Sequence, residues 1–407
     1  MSSYMFRLEY ICYSYSTTNL HLEEKVSKMS LPRARIDTHA HIIPPFYREE
    51  MERTGHGNPD GMPGIPVTRF ELLPLIAWRF CILTTAQQWS VEEHLQLMNK
   101  VNITRSIVSI SSPGTSLVPG DAAHAATLTR VCNKYAADLK QDYPTRFGYW
   151  ASLPLPFVKE TLDEIPRALA EGADGFVVLS NHHGIYLGDS KFDSVFEELN
   201  KRKAKVFIHP TTPCMTCLSS YPPTEPGNVK LDSEGVIKAT PLMDTYRSPM
   251  FEFLADTTRT VINLFLSDTI RRCPNITWII PHAGGCLPSV LSRFTGFSLL
   301  VPSIFAKVSE EEVRKAFRER FYFDLAGFVF PGQLWGLVKG CGVGPDRLLY
   351  GTDYCYTAAE GAANFGKVND EGMKEMFTEE ETDMVYTGNA IELLALTEDE
   401  MEDWQLK

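Results

Sequence analysis

RIDTHAHIIPP, from Arg35 to Pro45, reads as a buried strand that runs into a turn, and three of its polar residues, Asp37, His39 and His41, stand at alternate positions. Side chains two apart on a strand point the same way, so a strand ending near His39 presents both imidazoles to one place. That is a metal-binding arrangement. Pro44 and Pro45 stop the extended run and open a new segment, which places the two histidines at the strand's C-terminal end. An isolated His-x-His is more often a pair of surface residues. The rest of the chain decides between the two readings.

A length of 407 residues, 44% hydrophobic and 22% charged, allows one large core and excludes wholesale disorder. The net charge of -12 disfavours nucleic acid and anionic membrane surfaces as partners. It leaves an anionic small-molecule substrate open, because a metal and a few arginines reverse the field inside one pocket. Nine scattered cysteines, an odd number, argue against a disulfide framework and for a reducing, cytosolic setting. Cys214 and Cys217 form a lone CxxC with no second pair at zinc-ribbon spacing. Arg7 and Glu9 interrupt any signal-like apolar run, and no stretch reaches the roughly 18 apolar residues of a spanning helix.

Residues 1–30 lack periodicity and are expected to be a peripheral extension, followed by a barrel over 31–396 and an acidic tail at 397–407. After the first strand, Phe46 to Thr54 suits a short helix, and Gly55 to Pro66, with four glycines and three prolines, suits a loop near a site. Ser90 with Glu93 is a capping-box pattern at a helix start. Strand and helix then alternate. Strands are expected at Ile103–Ser111, Phe147–Leu153, Gly175–Leu179, Lys205–Ile208, Thr277–Pro281, Phe321–Leu325 and Leu348–Tyr350. Helices are expected at Ala122–Asp142, Val158–Glu171, Phe192–Lys201, Phe251–Arg272, Leu287–Phe294, Glu310–Arg320, Gly332–Val338 and Glu379–Leu396. With the first strand that makes eight, which predicts a closed (β/α)8 TIM barrel with insertions after strands one and five. The second insertion is the Pro-, Ser- and Thr-rich run from Thr211 to Arg247, long enough to form a lid or an interface.

In a barrel the residues just after each strand converge on one mouth. Strand one brings His39 and His41, strand five His209, strand six His282 and strand eight Asp353. A merely structural set has no reason to gather five such groups at one rim.

At this point the chain resembles the amidohydrolase superfamily, in the branch of aminocarboxymuconate-semialdehyde decarboxylase and the ortho-hydroxybenzoate decarboxylases. DTHAHIIPPFY at Asp37–Tyr47, FIHPTTP at Phe207–Pro213, PHAGG at Pro281–Gly285 and YGTDY at Tyr350–Tyr354 carry the resemblance, together with YFDLAG at Tyr322–Gly327. It implies that His39, His41, His209 and Asp353 hold one divalent metal and that His282 stands behind them as an acid, base or orienting group. Binuclear members use a carboxylated lysine after strand four, but Gly175 to Asn181 contains no lysine, so one metal is expected. Three imidazoles and a carboxylate suit Zn2+, and Mn2+ also fits if substrate and water oxygens complete a larger shell. GHGNPDGMPGIP and SISSPGT are similar to fungal members of the branch, which implies 6-methylsalicylate as the substrate, 3-methylphenol and CO2 as products, and a homodimer.

Three secondary expectations accompany this set. Of His182 and His183, which follow strand four, at most one should face the site, and neither is placed on the metal. Asp37 should orient backbone or ligands. Arg69 and Arg79 are candidate partners for a substrate carboxylate. The site chemistry leaves two reactions open, hydrolysis of a small cyclic amide or lactone by metal-activated water and decarboxylation of a chelating hydroxy acid; a metal-stabilised scaffold without activity would need neither His282 nor an open position.

Overall fold

Eight parallel strands hydrogen-bond in chain order around the computed structural model, which describes residues 33–57, 59–61, 89–216, 236–238, 247–302 and 308–401. They are β1 (Arg35–His41), β2 (Ile103–Ser109), β3 (Phe147–Ser152), β4 (Gly175–Leu179), β5 (Lys205–His209), β6 (Thr277–Ile280), β7 (Phe321–Asp324) and β8 (Leu348–Leu349). The expected extension over 1–30, Arg69, Arg79, Cys217 and the end of the tail lie outside the described residues.

The interior is filled from every strand. Ile36, Ile107, Trp150, Val177, Phe207, Ile279, Tyr322 and Leu349, one per strand, form a single buried cluster with Ala390, Leu393 and Leu394 of the last long helical segment. Trp150 also donates its indole N–H across the barrel to the Thr38 carbonyl at 2.9 Å. A second, larger apolar layer lies between the strands and the surrounding helices. This two-layer packing is why β3 to β7 read mostly as apolar runs, while β1 and β2 carry polar residues among their apolar ones. Asn389 caps the assembly by donating to the carbonyls of Pro345 and Leu348, each at 2.8 Å.

Strand eight is only two residues long, and the chain beyond it closes the barrel. Thr38 donates to the Tyr350 carbonyl at 3.0 Å, and Asp353 donates its backbone N–H to the His39 carbonyl at 2.8 Å. Asp37 locks this seam from inside the core. Its Oδ1 accepts from the backbone N–H groups of His39 and Thr352, each at 3.1 Å, and its Oδ2 from the Thr352 hydroxyl at 2.6 Å. Burial pushes the Asp37 carboxyl up to about 7 against those bonds and the nearby His39. The expected orienting role of Asp37 is what the hydrogen bonds show. Asp37→Ala strands two amides and a hydroxyl, and should cost about 3 kcal/mol of stability in a urea unfolding experiment. A loss under ~1 kcal/mol would mean that water replaces the carboxylate.

The helices differ from the sequence reading in several places: the one over Ala359–Met376 was not expected, Leu287–Phe294 runs on to Leu300, and Gly332–Val338 is α-helical only to Trp335 and π-helical from Gly336 to Gly340. The stretch expected as one helix over Phe251–Arg272 is Glu252–Leu266 followed by Thr269–Arg272, broken at Asp268, which sits at φ 68°. The last helix is likewise interrupted by a π-helical segment at Met384–Gly388 between Glu379–Asp383 and Asn389–Leu394. Among the described residues no helix is long and apolar enough to cross a membrane.

Candidate metal centre

His39, His41, His209 and Asp353 each bring one donor atom to within 4.8 Å of the other three. The rings of His39 and His41 lie 5.1 Å apart edge to face, and the His209 ring is 5.4 and 4.7 Å from them. The C-terminal ends of β1 and β5 and the closing segment after β8 therefore meet where the sequence placed them.

Each imidazole is tied at its far nitrogen. His39 Nδ1 is 2.9 Å from Asp324 Oδ2, His41 Nδ1 is 3.1 Å from the Ser109 hydroxyl, and His209 Nδ1 is 2.7 Å from the Pro210 carbonyl. This leaves the three Nε2 atoms facing Asp353, whose Oδ1 is 3.1 Å from that of His41 and 3.6 Å from that of His39. Anchoring one ring nitrogen so that the other presents its lone pair is how proteins orient histidine ligands. His39 Nε2 is buried without a hydrogen-bond partner.

The electrostatics ask for a cation. Burial disfavours a charged His39, yet Asp324, Asp353 and Asp37 overcome it and raise its pKa to about 9. Burial holds His41 and His209 below the usual histidine range. Burial also opposes ionisation of Asp353, but the His41 hydrogen bond and the surrounding imidazoles hold it below the ordinary carboxylate range. Two neutral imidazoles, an ionised carboxylate and a third imidazole that takes up a proton for want of another positive charge form a donor set that fits a divalent ion.

His282 sits behind this set, its ring 5.0 Å from that of His39. It opens a turn in which His282, Ala283, Gly284 and Gly285 all have positive φ. At Gly285 a Cβ would stand 2.4 Å from the Leu254 carbonyl oxygen, so only glycine completes the turn. Gln333 clamps the loop by donating its amide to the carbonyls of His282 and Gly285. His282 Nδ1 is 3.0 Å from the Ala326 carbonyl.

Asp324 went unassigned from the sequence. It ends β7, and besides holding His39 it accepts from the backbone of His282 at 3.1 Å and of Ala326 at 3.0 Å. A lone carboxylate at the end of the apolar run FYFD, inside YFDLAG, was the signal. His182 and His183 stay outside the metal cluster, as expected, and both line an adjoining cavity.

That cavity, about 290 Å³, opens among the loops after β2 to β5 and the insertion after β1. The cluster residues do not line it, but Thr211, two residues beyond His209, does.

A family model described as amidohydrolase matches residues 36–396. Decarboxylase yanB of Aspergillus niger is 34% identical over 333 residues, covering 79% of this chain and 77% of its own. The 6-methylsalicylic acid decarboxylase acuB of Aspergillus aculeatus is 30% identical over 366 residues, covering 88% and 93%. A crystal structure of an amidohydrolase II superposes with a TM-score of 0.70 at 30% identity, over 89% of this chain and all 100% of that one.

Proposed function

The chain belongs to the amidohydrolase family, and from that footing we propose that it is a metal-dependent decarboxylase that releases CO2 from a small ortho-hydroxybenzoate without oxidation. The specific reaction is 6-methylsalicylate to 3-methylphenol, the acid named for two of its relatives. The observation that carries it is the convergence of three anchored imidazoles and the Asp353 carboxylate within 4.8 Å.

A divalent ion, Zn2+ or Mn2+, held by His39, His41, His209 and Asp353 supplies a Lewis acid for the substrate's carboxylate and ortho oxygen. The residues do the rest. Direct loss of CO2 would leave an electron pair in the ring plane, beyond the reach of the π system, so the carboxyl-bearing carbon is protonated first. Asp353, ionised at rest, takes the proton of the ortho hydroxyl and delivers it to that carbon. His282 Nε2 stabilises the dearomatised ring. The bond to the carboxyl group then breaks, its electron pair restores aromaticity and CO2 leaves, and the phenolate so formed takes a proton from solvent to give 3-methylphenol.

The active unit is the barrel over 31–396, and Glu400 of the acidic tail at 397–407 reaches back to it, 3.4 Å from Arg105 of β2. It works as a homodimer in the cytosol. Leu299, Leu300, Phe328 and Trp335, all exposed, support a self-association surface, and the unpaired Cys132, Cys273, Cys286, Cys341 and Cys355 suit a reducing compartment.

Incubating metal-loaded protein with 6-methylsalicylate in deuterated water should release CO2 and leave one deuterium at the vacated carbon. Hydrolysis of a lactone or amide with no CO2 would replace this reading with the hydrolase. Metal analysis of His209→Ala should show most of the ion gone; full retention would take His209 out of the ligand set.

A further inference from the structure

Of the three imidazoles, His39 has the Asp324 carboxylate behind it and His41 the Ser109 hydroxyl, while His209 Nδ1 bonds the carbonyl of the next residue, Pro210. That carbonyl belongs to a peptide group whose other end is also engaged. The Thr211 N–H of the same peptide donates to the Ser180 hydroxyl oxygen at 3.1 Å, and Ser180 in turn donates to Asp256 Oδ2. The directions are forced. A carbonyl only accepts, so His209 Nδ1 carries the hydrogen of the first bond, and an amide N–H only donates, so the Ser180 hydrogen is left for the carboxylate.

Asp256 projects from the helix Glu252–Leu266, is 1% exposed and takes bonds from neutral donors on both oxygens. Asn181 joins Ser180 on Oδ2, at 2.9 Å, and the Tyr186 hydroxyl takes Oδ1. Burial raises its carboxyl pKa, against these bonds and the charge of Arg259. Ser180 is fixed in turn, its N–H donating to the His209 carbonyl at 2.8 Å and its carbonyl accepting from the Thr260 hydroxyl at 2.6 Å. Asn181 ties the same loop through the Thr212 carbonyl, 3.2 Å from its amide. Every bond from His209 Nδ1 to Asp256 therefore donates in one direction, toward the carboxylate. Hydrogen bonds aligned in series polarise one another, and a carboxylate at the end of the series draws the Nδ1 hydrogen outward and leaves Nε2 richer in electron density.

We propose that Asp256 is a positioning residue of the metal centre: acting through Ser180 and the Pro210–Thr211 peptide, it fixes the tautomer and angle of His209 and strengthens Nε2 as a ligand. Asp324 does this for His39 by direct contact, so two of the three imidazoles are backed by a carboxylate, one at first hand and one through a peptide group. This role rests on His209 as a metal ligand, and it holds for a decarboxylase and a hydrolase alike.

The full chain loaded with Co2+ provides the test, because the visible absorption bands of that ion follow the geometry and strength of its ligands. Ser180→Ala cuts the series and leaves Asp256 its bonds to Asn181 and Tyr186, whereas Tyr186→Phe removes a donor from the opposite oxygen and leaves the series whole. Both should lower the melting temperature. Only Ser180→Ala, and Asp256→Asn with it, should shift the Co2+ bands and raise the Kd by ~10- to 100-fold in competition with a chelator, while Tyr186→Phe stays within ~3-fold of wild type. Should Asp256→Asn fail to fold, Ser180→Ala decides, because it alone parts Asp256 from the peptide. Unchanged bands and Kd in Ser180→Ala or in a folded Asp256→Asn protein overturn the assignment, and so does an equal loss in all three variants, which would make Asp256 a support for the fold alone. The expected order of Kd values in a protein that releases no CO2 upholds Asp256 and sinks the decarboxylase.

Discussion

His282→Ala lowers kcat at least ~10²-fold while most of the metal stays bound, the scale expected when a group that handles charge or protons in the transition state is removed. The backbone supports the split between activity and binding. His282 is outside the four-residue donor set, and its turn is held by main-chain bonds that a truncated side chain leaves intact: its N–H to Asp324 and the two carbonyls clamped by Gln333. The ring does bond the Ala326 carbonyl, so a modest drop in melting temperature accompanies the change. Turnover, bound metal and thermal stability measured on one preparation separate the roles. Activity within ~3-fold of wild type removes His282 from the chemistry, and metal lost in step with activity makes it a support for the ligands.

The barrel was legible because its signals are local and repeated. Gly175–Leu179, Ala122–Asp142 and Glu310–Arg320 are bounded in the sequence as they are in the structure. The metal set was legible for a geometric reason, since strand ends meet at one mouth however distant they are in the chain. Asp353 shows the limit of that reasoning. It lies four residues beyond Leu349, at φ 57°, and reaches the cluster only because the closing segment runs along β1 and Asp37 grips Thr352. Asp324 stayed hidden because its contribution is made through His39, a contact between strands that no periodicity encodes. The break at Asp268 carries no proline or glycine to announce it. Asp60 was read as part of a loop near a site, but its bond to Thr212 joins the two insertions' ends across 152 residues, which only the fold reveals.

Removing the ortho hydroxyl from the substrate should have the largest effect of all: 2-methylbenzoate, which is 6-methylsalicylate without it, should release CO2 at least ~10³-fold more slowly, even at concentrations that fill the site. The hydroxyl does three separable things. It gives the site a second oxygen that fixes the ring, it feeds electron density to the carbon that must accept a proton, and it supplies that proton. The last follows from Asp353, which the His41 hydrogen bond and neighbouring imidazoles keep ionised and which therefore has no proton of its own to give at rest. The 2-methoxy-6-methylbenzoate analogue keeps the oxygen and most of the electron donation but has no proton, so it should bind and yet be nearly as inert as 2-methylbenzoate. Fast turnover of the methoxy acid would show that the proton comes from elsewhere, with His282 Nε2 the next donor to test. The ring methyl, by contrast, should change kcat/KM only by the ~1 to 3 kcal/mol that one apolar group is worth in a pocket. Measuring these three acids and salicylate, which lacks the ring methyl, against one preparation orders these contributions, and 2-methylbenzoate reacting within ~10-fold of 6-methylsalicylate would end the ring-protonation route.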